Sequence, residues 1–420
     1  MLRFQIIDKI TIPTRQNPSV FTAVTLPGLE EVLAEELKTL GALDSTPLSQ
    51  AVRFRGDLDI LYRSNLSLRT SLRVLWEISS MTFRSNQDLY RKAESIPWET
   101  FLSPQGTLAV STSSRSISGI NPRYASLVVK DGVVDRFHRL FGKRPSVDRQ
   151  DPDLRIHLHI EKETATFSVD SSGESLHRRG YRTEKIEAPL NEVLAAGILQ
   201  LIHWTPNIPL YDPMCGSGTF LVEAGLIAAG IAPGMLRKSF GFQRWKIFDP
   251  DRWKQIRKTV QDGAHGQATP SPASHARKPQ QNLEHPYFIR GADIDPGAVE
   301  ISRRNIERAG LKEFISVSCA PFEGSRSPFP PHTKGIVIMN PPYGKRLGDP
   351  AIGDLYKKIG DTLKQGYAGS DAWILSANTE GVKQIGLRPF KKYPLKNGPL
   401  DCRLLGFQLI QGAYGTKPSF

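Results

Sequence analysis

The sequence predicts an α/β protein with a Rossmann-like C-terminal domain, preceded by α+β regions. Three observations carry this expectation. Beyond residue 207, apolar runs of strand length alternate with helical runs, as in a parallel sheet built from βα units. Several of those strand runs end in glycine-bearing or unusual polar loops, where doubly wound sheets place ligands. Closer to the N-terminus the order is strand, helix, strand, then a second group that closes on a segment of strict polar–apolar alternation.

Taken in order, FTAVTLP at residues 21–27 reads as a strand and turn. Leu29, Val32, Leu33, Leu37 and Leu40 then recur at helical spacing, and Gly41 stops the helix. AVRFR follows as a strand with Val52 and Phe54 facing a core, which gives a small α+β unit over residues 1–65. A second unit over residues 66–175 has a strand at 107–111, a helix over 125–140 and the segment RIHLHIEKETATFSVD. There Ile156, Leu158 and Ile160 alternate with His157 and His159, which marks the histidines as solvent-side or partner-side strand residues rather than metal ligands. Leu190, Val193, Leu194, Ile198 and Leu201 form a helical face before IPLYD, TFLVEAGLIAAG, YFIRGADIDP, GAVEISRRNIERAG and GIVIMNPPYG. The stretch 231–286 breaks the βα rhythm. Its centre, residues 261–282, lacks aromatic and long aliphatic side chains and reads as a mobile insertion, a passive loop in the first place and otherwise a clamp on a partner through Arg277 and Lys278.

A chain of 420 residues has room for two or three domains, and 39% hydrophobic with 23% charged residues is ordinary for a water-soluble protein. No apolar run approaches the roughly 18–20 residues a membrane span needs. MLRFQIIDKITIPTRQ is a poor signal peptide, so a cytoplasmic protein is expected. The three cysteines, Cys215, Cys319 and Cys402, form no CxxC pair, and none of the nine histidines belongs to an HExxH, so no metal site is expected. The net charge of +13 is unevenly spread: −2 over residues 1–60, +6 over 61–185 and +9 over 186–420. A basic middle and C-terminal region suits a polyanion such as RNA.

Three strand-end signals bear on chemistry. In DPMCGSGTF, residues 212–220, Gly216 and Gly218 permit a tight strand-to-helix turn and close backbone approach to a cofactor, with Asp212 at the strand end. The segment lacks the GK[ST] of a phosphate-binding P-loop and is not a full GxGxxG. In GADIDPGAVEISRRN, Asp293 stands where an acidic side chain accepts hydrogen bonds from ribose hydroxyls, while Asp295 and Pro296 suit either a ligand contact or a helix start. A nicotinamide dinucleotide and S-adenosylmethionine remain equally compatible with these two signals.

The third signal separates them. Asn340-Pro341-Pro342-Tyr343 follows the apolar run 335–339. The Asn340 side-chain oxygen and the Pro341 carbonyl are two acceptors for an exocyclic NH₂, and Tyr343 offers a flat surface to a base. Holding both amino hydrogens turns the nitrogen lone pair towards a sulfonium methyl, and proximity does most of the work.

With these motifs the chain resembles the THUMP-domain-containing RNA guanine-N2 methyltransferases, in particular the N-terminal methyltransferase portion of the bacterial large-subunit (23S) rRNA enzyme. The likeness runs over nearly the whole chain: LPGLEEVLAEELKTLG, LYRSNLSLRTSLRVL, RPSVDRQDPDLRIHLHI and SGESLHRRGYR carry it alongside DPMCGSGTF and NPPYGKRLG. NPPY alone also occurs in DNA-adenine and protein-glutamine methyltransferases. The resemblance implies a ferredoxin-like region over 1–65, a THUMP RNA-binding domain over 66–175 and a class I methyltransferase domain over 184–420 that contains the complete cofactor pocket. It assigns Asp212, Gly216, Gly218 and Asp293 to S-adenosylmethionine, Asn340, Pro341 and Tyr343 to the target amine, and Arg178, Arg179 and Arg182 to RNA phosphate. The implied partner is structured RNA, either large-subunit rRNA or an early ribosomal particle. A tRNA guanine-N2 enzyme and a catalytically inactive RNA-binding protein are the alternatives. One departure stands out: many relatives have an acidic residue near the third strand for the adenine amino group, where this chain has ISVSCAPFEG. Cys319 or Glu323 falls in that region, and Cys319 is expected to be a buried structural residue.

Overall fold

The computed structural model describes residues 9–116, 121–184, 190–263, 288–344 and 350–410. Residues 264–282 of the expected insertion, with Arg277 and Lys278, lie outside these, as do residues 345–348 of NPPYGKRLG. In chain order the first elements are β1 (Ser19–Val24), α1 (Glu30–Thr39), β2 (Leu43–Leu48), β3 (Ala51–Gly56), α2 (Leu58–Ser67), β4 (Arg73–Thr82) and α3 (Asn86–Ser95). They are followed by β5 (Thr107–Ser116), α4 (Pro122–Phe141), β6 (Ser146–Val147), β7 (Leu154–Glu161) and β8 (Thr164–Asp170). Next come α5 (Glu192–Leu201), β9 (Leu210–Asp212), α6 (Thr219–Ala228), α7 (Pro250–Gln261), β10 (Ile289–Asp293), α8 (Pro296–Arg308) and β11 (Ile315–Cys319). The last are β12 (Ile336–Met339), α9 (Pro350–Gly366), β13 (Asp371–Ser376), α10 (Thr379–Gln384), β14 (Lys391–Asn397) and β15 (Leu400–Gln408).

These elements form two compact units. The first takes the chain up to Thr25, residues 33–178, and residues 237–263. Its sheet has eight strands in the order β2-β3-β1-β4-β8-β7-β5-β6. β4 pairs antiparallel with β1 on one side and with β8 on the other, so one sheet runs through both expected α+β regions. The boundary expected at residue 65 falls inside α2, a helix that begins where the Asp57 carboxylate accepts the Ile60 N–H at 3.0 Å. α3 begins the same way on Ser85, and α4 runs from Asn121-Pro122 to Gly142, whose φ of 66° ends it in the left-handed conformation.

The alternation in β7 holds: Ile156, Leu158 and Ile160 are buried. The histidines between them are only half-exposed, because neighbouring strands cover their rings. His157 is bonded on both nitrogens, to Ser111 Oγ at 3.1 Å and Ser113 Oγ at 2.9 Å, and the Ser113 hydroxyl is also 2.9 Å from His159 Nδ1.

Residues 237–263, expected within the C-terminal domain as part of an irregular stretch, instead belong to the first unit. Their aromatic side chains explain this. Phe242 stacks on Tyr62 at 4.5 Å, and Trp253 meets Phe242 edge-on at 5.1 Å. Trp245 packs against Phe101 at 5.2 Å and Trp76 at 6.1 Å. The Arg237 guanidinium donates to the carbonyls of Ser175, Arg178 and Glu174 at 2.8–2.9 Å.

The second unit comprises Leu26–Val32, Arg179–Leu236 and the described residues from 288 on. Its seven strands lie in the order β11-β10-β9-β12-β13-β15-β14. β11, β10, β9, β12 and β13 are mutually parallel, and β15 runs antiparallel between β13 and β14. All of β12 is buried, and its Val337 and Met339 share one apolar cluster with Tyr356, Tyr367, Ile374 and Phe407. Continuous apolar strands of this kind are what a sheet covered on both faces requires. Among the described residues, no helix is long and apolar enough to cross a membrane.

Candidate active site

The three sequence motifs meet at the carboxyl ends of adjacent strands. β9 lies between β10 and β12, so the turn after β9 has Asp293 on one side and Asn340 on the other. This is the crevice that open parallel sheets offer to ligands. Gly216 and Gly218 have φ of 51° and 77°, a region other residues enter only with strain. A Cβ on Gly218 would lie 2.3 Å from Ser302 Oγ, whereas one on Gly216 would meet nothing within 4 Å. The first glycine of the pair therefore faces open space and the second is packed against α8. Asn305, fully buried on α8, donates its amide to the Ser217 carbonyl at 3.0 Å and fixes the turn from that side.

Asp212 is 2% exposed and accepts the Met214 N–H at 3.1 Å, so it braces the turn internally. Burial pushes its carboxyl well above the usual range against the pull of that N–H, and the charge of Asp293 adds to the rise. Asp293 is half-exposed at the end of β10. One of its oxygens accepts the Gly216 N–H at 2.8 Å and the other the Asp295 N–H at 3.0 Å. Asp295 is the N-cap of α8, accepting the Gly297 N–H at 2.8 Å ahead of Pro296, which is the helix-start reading left open above. Ile294, between them, is 72% exposed.

Asn340 follows the buried β12, and the Tyr343 hydroxyl donates to its side-chain oxygen. The Cys402 thiol points at that hydroxyl from 3.8 Å. Burial, then Cys402, raises the Tyr343 phenol far above its ordinary pKa and keeps it neutral. The Tyr343 carbonyl accepts the Asn378 side-chain amide at 2.9 Å, and the other end of that side chain caps α10 through the Gly381 N–H at 2.7 Å. Neither Asn378 nor Cys402 was singled out from sequence. Asn378 carries the signal of a helix cap, in SANTEG. Cys402 carries none, because β15 brings it in from 59 residues away.

Two expectations need correction. Cys319 is exposed, not buried; it ends β11 in register with Asp293, and its thiol donates to the Ile294 carbonyl at 3.7 Å. Glu323 points elsewhere, to Lys358 at 3.0 Å. Of the three arginines assigned to RNA, only Arg178 is on the surface, with 65% of its side chain exposed beside Glu174. Arg179 is 1% exposed and faces the fully buried Glu223 of α6 at 3.4 Å, while Arg182, 14% exposed, pairs with Glu192 at 3.2 Å. An RNA phosphate has no access to Arg179 there, because the carboxylate already holds its guanidinium inside the unit. Among the described residues no cluster of three or more His, Cys, Asp or Glu is placed to hold a metal ion.

A glycine turn open at Gly216, a carboxylate on the next strand and an amide acceptor on the strand opposite make this a class I methyltransferase fold. The donor set suits S-adenosylmethionine: Asp293 for hydroxyls, Ile294 for an apolar ring, and backbone unobstructed by side chain at 216. Comparison with known proteins agrees. Residues 179–405 match the RMKL-like methyltransferase domain, 83–170 the THUMP domain and 20–75 the RlmL ferredoxin-like domain. The chain is 38% identical over 401 residues to “Putative RNA methyltransferase slr0064” of Synechocystis sp., covering 94% of this chain and 99% of that one. It is 39% identical over 394 residues to the ribosomal RNA large subunit methyltransferase K/L of Photobacterium profundum, but spans only 53% of that protein. The solved structure of SMU.472 in complex with SAH superposes with a TM-score of 0.78 at 28% identity, covering 94% of this chain and 99% of the other. The chain belongs to the RMKL-like methyltransferase family, with ferredoxin-like and THUMP domains ahead of the catalytic one, and its methyl donor is S-adenosylmethionine.

Proposed function

We propose that the protein transfers a methyl group from S-adenosylmethionine to the exocyclic N2 of a guanine in large-subunit (23S) rRNA, presented as free RNA or an early ribosomal particle. The observation that carries the chemistry is Asn340, held at the end of β12 with its side-chain oxygen bonded to the Tyr343 hydroxyl. An incoming amino group takes that acceptor in place of the hydroxyl and gives its second hydrogen to the Pro341 carbonyl. The freed hydroxyl keeps Cys402 as a neighbour, and the Tyr343 ring lies against the base. With both hydrogens engaged, the nitrogen lone pair is aimed along one direction only.

The cofactor supplies an electrophilic methyl on a sulfonium, so no side chain has to act as nucleophile. The amine becomes more acidic on methylation and sheds its proton to water; a neutral Tyr343 is no base for it. Asp293 and the turn at 215–218 hold the cofactor, and Asp212 supports that turn. The choice of rRNA draws on the K/L relatives and on the THUMP domain, and the net charge of +13 favours a folded polyanion.

The deciding experiment is labelled methyl transfer to separated rRNA and tRNA pools, followed by nucleoside identification and position mapping. N2-methylguanine at one position of large-subunit rRNA is expected. The same nucleoside found only in tRNA overturns the rRNA assignment and leaves the amine chemistry standing, whereas N6-methyladenine overturns the guanine reading.

A further inference from the structure

The segment HRRGYR, whose arginines were first matched to RNA phosphate, carries a buried polar network with a different target. The Arg179 guanidinium donates to both Glu223 oxygens at 3.4 Å, and the Tyr181 hydroxyl donates to Glu223 at 3.2 Å. Tyr181 is 1% exposed and Glu223 is 0%. Arg182 reaches the Leu190 carbonyl at 3.1 Å, the Glu192 carboxylate at 3.2 Å, and the Thr219 hydroxyl. Thr219 is the first residue of α6 and follows Gly218, the last glycine of the cofactor turn, while Glu223 lies one turn further along the same helix. Gly218 has no side chain to cap α6; at the helix start the Thr219 hydroxyl lies 3.4 Å from the Ser217 hydroxyl and also accepts from Arg182. Buried polar side chains of this kind cost stability unless each is matched, and in return they hold one geometry.

We infer that Arg182, supported by the Arg179–Glu223–Tyr181 cluster, is a positioning residue of the cofactor site: it sets the start of α6 through Thr219 and thereby the placement of the Gly216–Gly218 backbone. This rests on the assignment of that turn and Asp293 to S-adenosylmethionine. An arginine is suited to the task because its planar fork serves a carbonyl, a hydroxyl and a carboxylate at once, which a lysine ammonium cannot do with the same geometry.

The test uses the full-length protein and five variants, Arg182→Gln, Arg182→Lys, Thr219→Val, the Arg182→Gln/Thr219→Val double variant and Asp293→Ala. Affinity for S-adenosylhomocysteine is measured by calorimetry, thermal unfolding by scanning calorimetry, RNA affinity with S-adenosylhomocysteine at saturation, and kcat and KM by methyl transfer. Arg182→Gln and Thr219→Val are each expected to weaken S-adenosylhomocysteine about tenfold and to raise the KM for S-adenosylmethionine more than they lower kcat. Arg182→Lys should recover part of the loss, the Arg182→Gln/Thr219→Val double variant should be no weaker than Arg182→Gln alone, and RNA affinity should stay within about twofold. A lower unfolding temperature with unchanged cofactor affinity in both folded variants overturns the inference, and so does lost RNA binding with cofactor affinity intact. Thr219→Val keeps the question open to measurement if Arg182→Gln fails to fold. Unchanged cofactor affinity in Asp293→Ala strikes at the assignment of the turn itself; weakened affinity there, with Thr219→Val unchanged, strikes only at the positioning network.

Discussion

Asn340 and Tyr343 meet through one hydrogen bond, and its direction gives each a separate part. In the proposed mechanism the amide oxygen is the acceptor for the amino substrate, and in the structure the tyrosine hydroxyl donates to it. Asn340→Ala removes the acceptor without touching Asp293 or the glycine turn. Losing one partner of a desolvated donor costs about 1–3 kcal/mol, which corresponds to a roughly 5–150-fold slower single-turnover methyl transfer. Affinity for S-adenosylhomocysteine should stay close to that of the unaltered protein. A near-normal chemical step in that variant would sink the assignment of Asn340. NPPY and the glycine turn were legible in the sequence because both depend on local backbone demands. Asn378 and Cys402, which support Tyr343 from α10 and β15, were not, because an asparagine cap or a lone cysteine looks the same wherever the chain later carries it.

At the scale of elements, β7 shows how an alternation that is read correctly can still mislead about exposure. Ile156, Leu158 and Ile160 face the core as expected, but the opposite face is lined by hydroxyls from β5 that close around the histidine rings. Burial, reinforced by His159 and Arg73, lowers the His157 pKa to about 4 from an unfolded value of 6.5. The unfolded chain therefore binds the proton more tightly, so the stability this histidine permits is complete above pH 6.5 and is lost as the pH falls from 6.5 towards 4. Urea midpoints taken across that window should decline with falling pH, and less steeply in His157→Gln, where no proton can be taken up. An equal slope in the two proteins would show that other groups account for the acid sensitivity. The helices α2 and α3 escaped the sequence reading although both start on a capping side chain, Asp57 and Ser85; α3 buries only Leu89 and Ala93, too few apolar positions to show a helical period.

For the whole molecule, the order of residues along the chain and the membership of the compact units disagree. Leu26–Val32 sits with the second unit, where Leu29 packs so closely on Gly197 that a Cβ there would lie 2.5 Å from it. Residues 237–263 return to the first unit. Arg179 and Tyr181 are buried in the second, ahead of the start at residue 184 that the sequence suggested. A fragment of residues 184–420 thus lacks Leu29, Arg179, Tyr181 and Arg182, leaves Glu223 unmatched in the interior, and exposes Phe242, Trp245 and Trp253. An unpaired buried charge alone costs about 3–5 kcal/mol. Such a fragment is expected to show no cooperative unfolding transition and no binding of S-adenosylhomocysteine by calorimetry. Native affinity in the fragment would refute this account of where the catalytic unit begins.

By itself, the sequence determined the α/β class, the parallel strands with apolar runs, and the three strand-end motifs. Each is a local property, set by side-chain periodicity or by a backbone conformation that glycine or proline permits within a few residues. Only the tertiary structure decided which charges meet. Arg178 and Arg179 are identical in sequence terms, yet one stays in water and the other is enclosed with Glu223, 44 residues away. It also decided that β4 joins two regions into one sheet and that the aromatic run from Phe240 to Trp253 fills the first unit's core. The physical reason is common to all three. A charge, an edge of unpaired strand or an aromatic ring has a strong need for a partner but carries no record of which one, and the choice falls to whatever the folded chain brings within reach.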